Sequence, residues 1–379
     1  MKKILHISNW YPNSWNKLEG LFVKEQFNVF SEVSKSYLVN VQIRDVENGK
    51  LFEFKHIKYS DYEEGYYILT SIKSDKMKEM LTTILLLIVL YKKRYKKFDI
   101  LHFHIAYPLL IHLKRWKKFI KKPIILSEHW SAYHYNFYMP KNSNKINGIK
   151  KIFWNNFKLI TVSKALLEDI KEFSANKLLK SIIIPNVVDS KIFYCKDNSK
   201  QSVPTFFMVN NWRKIKNPFP ILKAFSILNR EKIDFKLYIG GYGELLEDMK
   251  KYILDNGYIH KVIFFGKMDK LDIANIHNKS DAFLFSSKYE TFSVVCAEAV
   301  CCGSIIIGPK IKAIAEYADD EMYIKVSKNE QEEWANTLKD FIKNKFLIYN
   351  KNSISRKANR NLSTEIIKRK YIEVINEYI

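Results

Sequence analysis

The chain has 379 residues, 47% hydrophobic and 27% charged, which excludes a disordered polymer and exceeds one ordinary core, so two domains are expected. A net charge of +23 points to nucleic acid, an anionic membrane surface or a phosphorylated substrate; no zinc finger or RNP-like aromatic pattern accompanies it, so no nucleic-acid partner is expected. The four cysteines, Cys195, Cys296, Cys301 and Cys302, form neither a CxxC pair nor a zinc spacing, and a reducing cytoplasm suits them.

The amino-terminal MKKILHISNWYP starts basic, but its apolar stretch is too short and too polar for a signal peptide. It reads as a first strand, in a protein expected to stay inside the cell. The loop YPNSWNKLEG ends in Gly20 and leads to an apolar-periodic helix over 21–34. SYLVNVQIR is a second strand. Residues 80–97, MLTTILLLIVLYKKRYKK, have too short an apolar part to span a bilayer. With Lys92, Lys93, Arg94, Lys96 and Lys97 at its end, this run suits either the anionic inner leaflet or a buried helix with a basic end. FDILHFHIA and KKPIILSEHW are apolar runs ending in polar residues. His102 and His104 share one strand face, as two metal ligands do. No third ligand is recognisable, and they read as packing or cleft-lining residues. KLITVSKALLEDIKE is a strand entering a helix, with Ser163 as N-cap. SIIIPNVVD closes the half at the Pro185-Asn186 turn.

After a polar stretch at 188–203 the pattern restarts with PTFFMVNNW. Arg213, Lys214 and Lys216 then precede a helix over 218–229, where they meet an anion at the helix start. IGGYGE, 239–244, does not complete a nucleotide fingerprint. KVIFFGKM and DAFLFSS are further strands. KSDAFLFSSKYETFSVVCAEAVCCGSIIIG, 279–308, reads as strand, loop, helix and strand, the unit of a parallel α/β sheet. It carries Glu290 on the loop, where ligands of open α/β sheets bind. Ser293 and Val294 open the helix, with N–H groups free for an anion such as a diphosphate. Glu298 lies one turn further on, suited to reach outward and accept two hydrogen bonds from a sugar diol. Three of the cysteines fall in this small-residue helix and read as buried packing. TEIIKRKYIEVINEYI, at the end, looks helical. Strands alternating with helices twice over predict two doubly wound domains with a cleft between them.

The pair Glu290 and Glu298, with seven residues between them, resembles the E-x7-E signature of retaining glycosyltransferases of family 4 (GT4), and the resemblance runs from the first strand to past residue 316. It implies an α/β chain of GT-B fold, two doubly wound Rossmann-like domains facing a central cleft. The expected boundaries are 1–190 for an acceptor-side domain, 200–362 for a nucleotide-sugar domain, and 363–379 for a helix crossing back to the first. Lys216 matches the family's lysine and is a catalytic candidate. Asn217 replaces the family's glycine, and Asn211 stands at its arginine position, with Arg213 as the candidate substitute. Gly20 resembles the glycine of the loop after strand one, and His129 the histidine near the donor sugar. Gly266, Lys267 and Met268 resemble the loop holding the nucleotide base. Phe292, Ser293 and Val294 are further donor-binding candidates; a glycine commonly follows that phenylalanine, where this chain has Ser293. The family's paired glycines before the last glutamate are absent, with Lys312 and Ala313 in IKAIAE.

The resemblance implies transfer of a hexose from a UDP- or GDP-sugar to a glycan or polyprenyl-linked acceptor in cell-surface polysaccharide biosynthesis, with retained configuration. No metal or other cofactor is expected, and no D-x-D metal motif sits at a strand end. The enzyme is expected in the cytoplasm, peripheral on the inner face of its membrane. Two alternatives stand beside this reading: a nucleotide-sugar epimerase of GT-B architecture, and a catalytically silent scaffold.

Overall fold

Among the described residues, fourteen strands sort into two separate sheets. The structure is a computed structural model that describes all residues except 48–50, 141–142, 197–201, 346–348 and 378–379. Part of the expected interdomain stretch and the end of the expected last helix lie outside the described residues. The first compact unit comprises Met1–Val187 and Ile367–Ile379, the second Val188–Ile366.

In the first unit the strands are β1 (Lys3–Ser8), β2 (Lys35–Asp45), β3 (Glu53–Lys58), β4 (Glu63–Thr70), β5 (Ile100–His104), β6 (Ile124–Glu128), β7 (Lys158–Thr161) and β8 (Ile182–Ile183). Their order is β3-β4-β2-β1-β5-β6-β7-β8, all neighbours parallel except β3 with β4. KILHIS and ILHFH are buried along nearly their whole length, as central strands covered on both faces must be. The chain builds outward from β1 in one direction and then, from β5, in the other. Its order therefore reverses between β1 and β5, where open α/β sheets bind their ligands. The β3–β4 hairpin was not anticipated. β3, EFKHIK, has only Phe54 and Ile57 as apolar residues, on opposite faces, and lies mostly exposed at the edge, where charge discourages further pairing.

Helix Leu21–Val33 follows β1, and helix Asp75–Lys92 follows β4. Ser163 caps Lys164–Ser174, accepting from the Leu166 N–H at 3.0 Å, as its place before an apolar-periodic run predicts. The last helix, Thr364–Asn376, packs Ile367, Tyr371, Val374 and Ile375 into a cluster with Ile4, Phe30, Ile100, Ile125 and Ile160. Its apolar stripe is thus covered by the sheet of the first unit.

The second unit contains β9 (Thr205–Asn211), β10 (Lys236–Tyr242), β11 (Val262–Gly266), β12 (Ala282–Leu284), β13 (Ile305–Pro309) and β14 (Tyr323–Val326), in the order β11-β10-β9-β12-β13-β14 and all parallel. Here the order reverses between β9 and β12. No helix among the described residues is long and apolar enough to cross a membrane.

Candidate active site

The loops after β9 and β12 flank the reversal point of the second sheet, and they carry the two polar residues that the sequence singled out most clearly. Lys216 ends a short 3-10 turn, Lys214–Lys216, between β9 and helix Phe219–Arg230. Glu290 lies on the loop between β12 and helix Val294–Cys301. Lys216 Nζ donates to Glu290 Oε1 at 2.7 Å, with side chains 17% and 15% exposed. Such partial burial weakens solvent screening without removing access to a ligand. The pair brings a cation and a carboxylate together across 74 residues of sequence.

Three supports hold these loops, and none was foreseen from sequence. Ser286 Oγ donates to the carbonyls of Lys216 and Asn217 at 3.1 and 2.6 Å. Asn329 Nδ2 donates to the Ser286 carbonyl at 2.9 Å. The Tyr317 hydroxyl lies 3.1 Å from the carbonyls of both Phe292 and Ser293, and its ring packs on that of Phe292. Each support comes from another loop or strand end, so no local spacing announces it.

Two departures from the family pattern keep the backbone that glycine would take. Asn217 has φ 46° and Ser293 φ 65°, both left-handed. Asparagine tolerates that region, whereas serine does so at a steric cost. Ser293 heads the eight-residue helix, and no side chain caps the helix start. Glu298, expected to reach outward, is only 5% exposed within that helix. Phe292 and the three helix cysteines Cys296, Cys301 and Cys302 are buried. Burial pushes the Cys296 thiol well up and the Cys301 thiol up to about 12, so both are inert packing groups. Arg213 is exposed beside the turn. Gly266 ends β11 with φ 64°, and a Cβ there would meet no neighbour within 4 Å; Lys267 and Met268 follow it on the same edge of the sheet.

In the first unit, Gly20 starts helix Leu21–Val33 at φ 62°, and a Cβ would lie 2.3 Å from the Trp10 carbonyl oxygen. Both conformation and close backbone approach therefore require glycine. His129 follows β6 and is buried; its Nδ1 is 3.0 Å from Asn186 Oδ1 and its Nε2 3.2 Å from Gln26 Oε1. Burial holds its pKa down at about 3, so the ring is neutral and has one N–H. Turning the Gln26 amide lets its otherwise unpaired Nε2 donate to His129 Nε2, while Nδ1–H donates to Asn186. With both nitrogens engaged, His129 positions its neighbours rather than presenting a free ring nitrogen.

Glu128, beside it, was missed by sequence reasoning. Its buried carboxylate accepts from the Ala106 N–H and the Tyr133 hydroxyl, both at 2.6 Å, and from the His129 N–H at 3.1 Å. Burial raises its pKa to about 6, against these hydrogen bonds. His102 and His104 gain a third partner, His6, through the parallel register of β1 and β5. Candidate ligand nitrogens of the three lie within 4.8 Å of one another, all buried. Burial lowers all three pKa values, and no thiolate or carboxylate belongs to the group. Within the group His6 Nδ1 lies 3.0 Å from His104 Nε2, while His6 Nε2 and His102 Nε2 reach the hydroxyls of Ser36 and Ser127 at 3.1 and 2.8 Å.

Comparison with known proteins fits this geometry. Residues 193–361 match the model described as glycosyl transferases group 1, and 61–191 that of glycosyltransferase family 4. The N-acetyl-alpha-D-glucosaminyl L-malate synthase of Bacillus anthracis is 25% identical over 230 residues, 58% of this chain and 58% of that protein. The match thus spans less than two thirds of that relative. The sucrose-phosphate synthase of Thermosynechococcus elongatus superposes with a TM-score of 0.74 at 13% identity, covering 100% of this chain and 99% of the other. Anabaena Alr3699/HepE, solved with UDP and glucose, gives 0.72 at 12% identity with both chains covered in full. At such identities the structures share a fold, the GT-B fold with its two Rossmann-like domains.

Proposed function

The chain belongs to the group 1, family 4 glycosyltransferases, and from that premise we propose that it transfers a hexose from a nucleotide diphosphate sugar to an acceptor hydroxyl with retention of configuration. The Lys216–Glu290 pair at the reversal point of the second sheet is the observation that carries this reading. As the sugar departs, negative charge grows on the diphosphate. Lys216, Arg213 and the uncapped helix start at Ser293 and Val294 stabilise that charge. The same cationic groups can substitute for a divalent ion, so transfer is metal-independent and survives chelation. Lys216 exchanges its Glu290 partner for phosphate oxygens, which frees Glu290 to accept hydroxyl hydrogens of the donor sugar. Glu298 holds the ribose diol, Phe292 walls the pocket, and the backbone of Gly266, Lys267 and Met268 holds the base.

The donor is a UDP- or GDP-sugar; a UDP complex of the Anabaena neighbour favours the former. The acceptor is a glycan or polyprenyl-linked glycan in cell-surface polysaccharide assembly, reached from the cytoplasmic face of an anionic membrane. Front-face departure and capture within one ion pair, as the family resemblance implies, supplies retention. Lys216→Ala should slow nucleoside diphosphate release by about a hundredfold or more, the range for removing one charge-stabilising donor. Turnover at the unmodified rate contradicts the assignment. A scaffold without activity predicts no release from any donor, and an epimerase predicts release without an acceptor.

A further inference from the structure

We infer that the outer side of helix Asp75–Lys92, together with the segment around Phe119, is the surface by which the protein docks on an anionic lipid bilayer. The helix is apolar on two sides. Leu85, Leu86, Val89 and Leu90 are buried in the first unit, whereas Met77, Met80, Ile84, Leu87, Ile88 and Tyr91 are 37–83% exposed. The exposed six recur at helical spacing and form one stripe. A groove of about 830 Å³ runs along this stripe and is closed on its far side by Trp116 and Phe119; Phe119 is 80% exposed. Isolated surface apolar residues need no explanation, but a contiguous apolar patch of this kind marks a partner.

Charge identifies the partner. Residues 73–122 contain 14 Lys and Arg against three Asp and Glu, a net +11 of the chain's +23. The three acids are already engaged: Asp75 with Lys145, Glu79 with the Tyr107 hydroxyl, and Asp99 with the Lys3 N–H. Exposed cations frame the stripe, with Lys73 and Lys76 at one end, Lys92 and Arg94 at the other, and Lys114 and Lys118 alongside. An apolar stripe framed by long basic side chains matches an anionic interface, where the apolar groups enter the acyl boundary and the ammonium groups meet headgroups. A second copy of this chain is a poor occupant, because a two-fold contact on this face sets the exposed cations that frame the stripe against the same cations of the other copy. The helix does not cross the bilayer; it lies on it.

The inference deepens the lipid-linked acceptor reading, and it is tested apart from it. Flotation with phosphatidylcholine vesicles, with and without phosphatidylglycerol, measures docking at low and high salt. The intact protein should float only with phosphatidylglycerol vesicles and be released by salt, since exposed charges are screened. The triple variant Ile84→Ser, Leu87→Ser, Tyr91→Ser should lose roughly tenfold or more in partitioning, because each inserted side chain contributes through its buried area. Lys92→Glu with Arg94→Glu should lose binding to phosphatidylglycerol while keeping the apolar stripe. Thermal unfolding without vesicles reports on folding, and all variants should unfold as the parent does. Equal flotation of parent and triple variant overturns the inference, as does failure of the parent to bind at low salt. Dimers in sedimentation that the triple variant abolishes would assign the stripe to a second copy and also overturn it. Nucleotide-induced stabilisation on the same samples separates the two readings. Lost docking with nucleotide binding retained refutes the surface alone; docking without any nucleotide response refutes the functional reading alone.

Discussion

Ser293 stands in a left-handed backbone conformation at φ 65°, directly before the helix that heads the proposed diphosphate site. A non-glycine residue pays about 1–2 kcal/mol for that region, and glycine's own entropic cost is about 0.5–1 kcal/mol. Ser293→Gly should therefore stabilise the second unit by up to about 1 kcal/mol, seen as a higher midpoint in urea at unchanged slope. A lower midpoint would mean that the serine hydroxyl, near Cys296, contributes more than the backbone strain removes. The residues given roles in the proposed chemistry were legible through the family resemblance: Glu290 and Glu298 with seven residues between them on a strand–loop–helix unit, and Lys216 at the place of the family's lysine. Their supports were not. Ser286, Tyr317 and Asn329 reach the site through hydrogen bonds to carbonyls 24 to 70 residues away, and any serine or tyrosine can make such a bond. His6 escaped notice in the same way, since only the register of β1 against β5 sets it beside His102. His129 was legible as a residue, but its engaged nitrogens were not.

Elements show the same division. Central strands such as KILHIS and ILHFH announce themselves as unbroken apolar runs, and their observed ends fall within a few residues of the expected ones. The β3–β4 hairpin did not, because β3 has no apolar alternation, with Phe54 and Ile57 on opposite faces among charged residues, and has one covered side at most. Helix Asp75–Lys92 was ambiguous between a membrane surface and a buried core. The structure shows why: one side is core and the opposite side is equally apolar but exposed, a pattern with little net amphipathicity. The loss of vesicle docking on serine substitution of the outer side belongs to this scale, since it requires the inner side to keep the helix in place. The last helix gave only its periodicity. Its partner sheet is fixed by Ile367, Tyr371, Val374 and Ile375 packing against β1, β5, β6 and β7, and the Tyr371 ring centroid lies 4.1 Å from that of Phe30.

Across the whole molecule, buried imidazoles set the response to acid. Burial lowers His6, His102 and His104, and holds His129 and His277 at about 3, against about 6.5 in the unfolded chain. Between those values the unfolded chain binds more protons, so stability rises with pH and is lost as pH falls below about 6.5, by up to about 1.4 kcal/mol per pH unit for each histidine. Glu128, raised to about 6, acts in the opposite sense between its unfolded pKa and that value, as a single group against five. The melting temperature should be nearly level above neutrality and fall steeply from pH 6.5 to 5; a level profile down to pH 5 would contradict this reading of the histidines.

The central claim is that the second unit holds a nucleotide diphosphate at the reversal point between β9 and β12. Thermal unfolding with UDP, GDP, ADP and CMP, for the parent and for Glu298→Ala, tests it most directly. A nucleotide at a hundred times its dissociation constant stabilises by about 2.7 kcal/mol. One diphosphate should raise the transition of the parent and fail to do so in the variant, which would also name the base. No shift with any of the four, or an equal shift in parent and variant, would contradict the account.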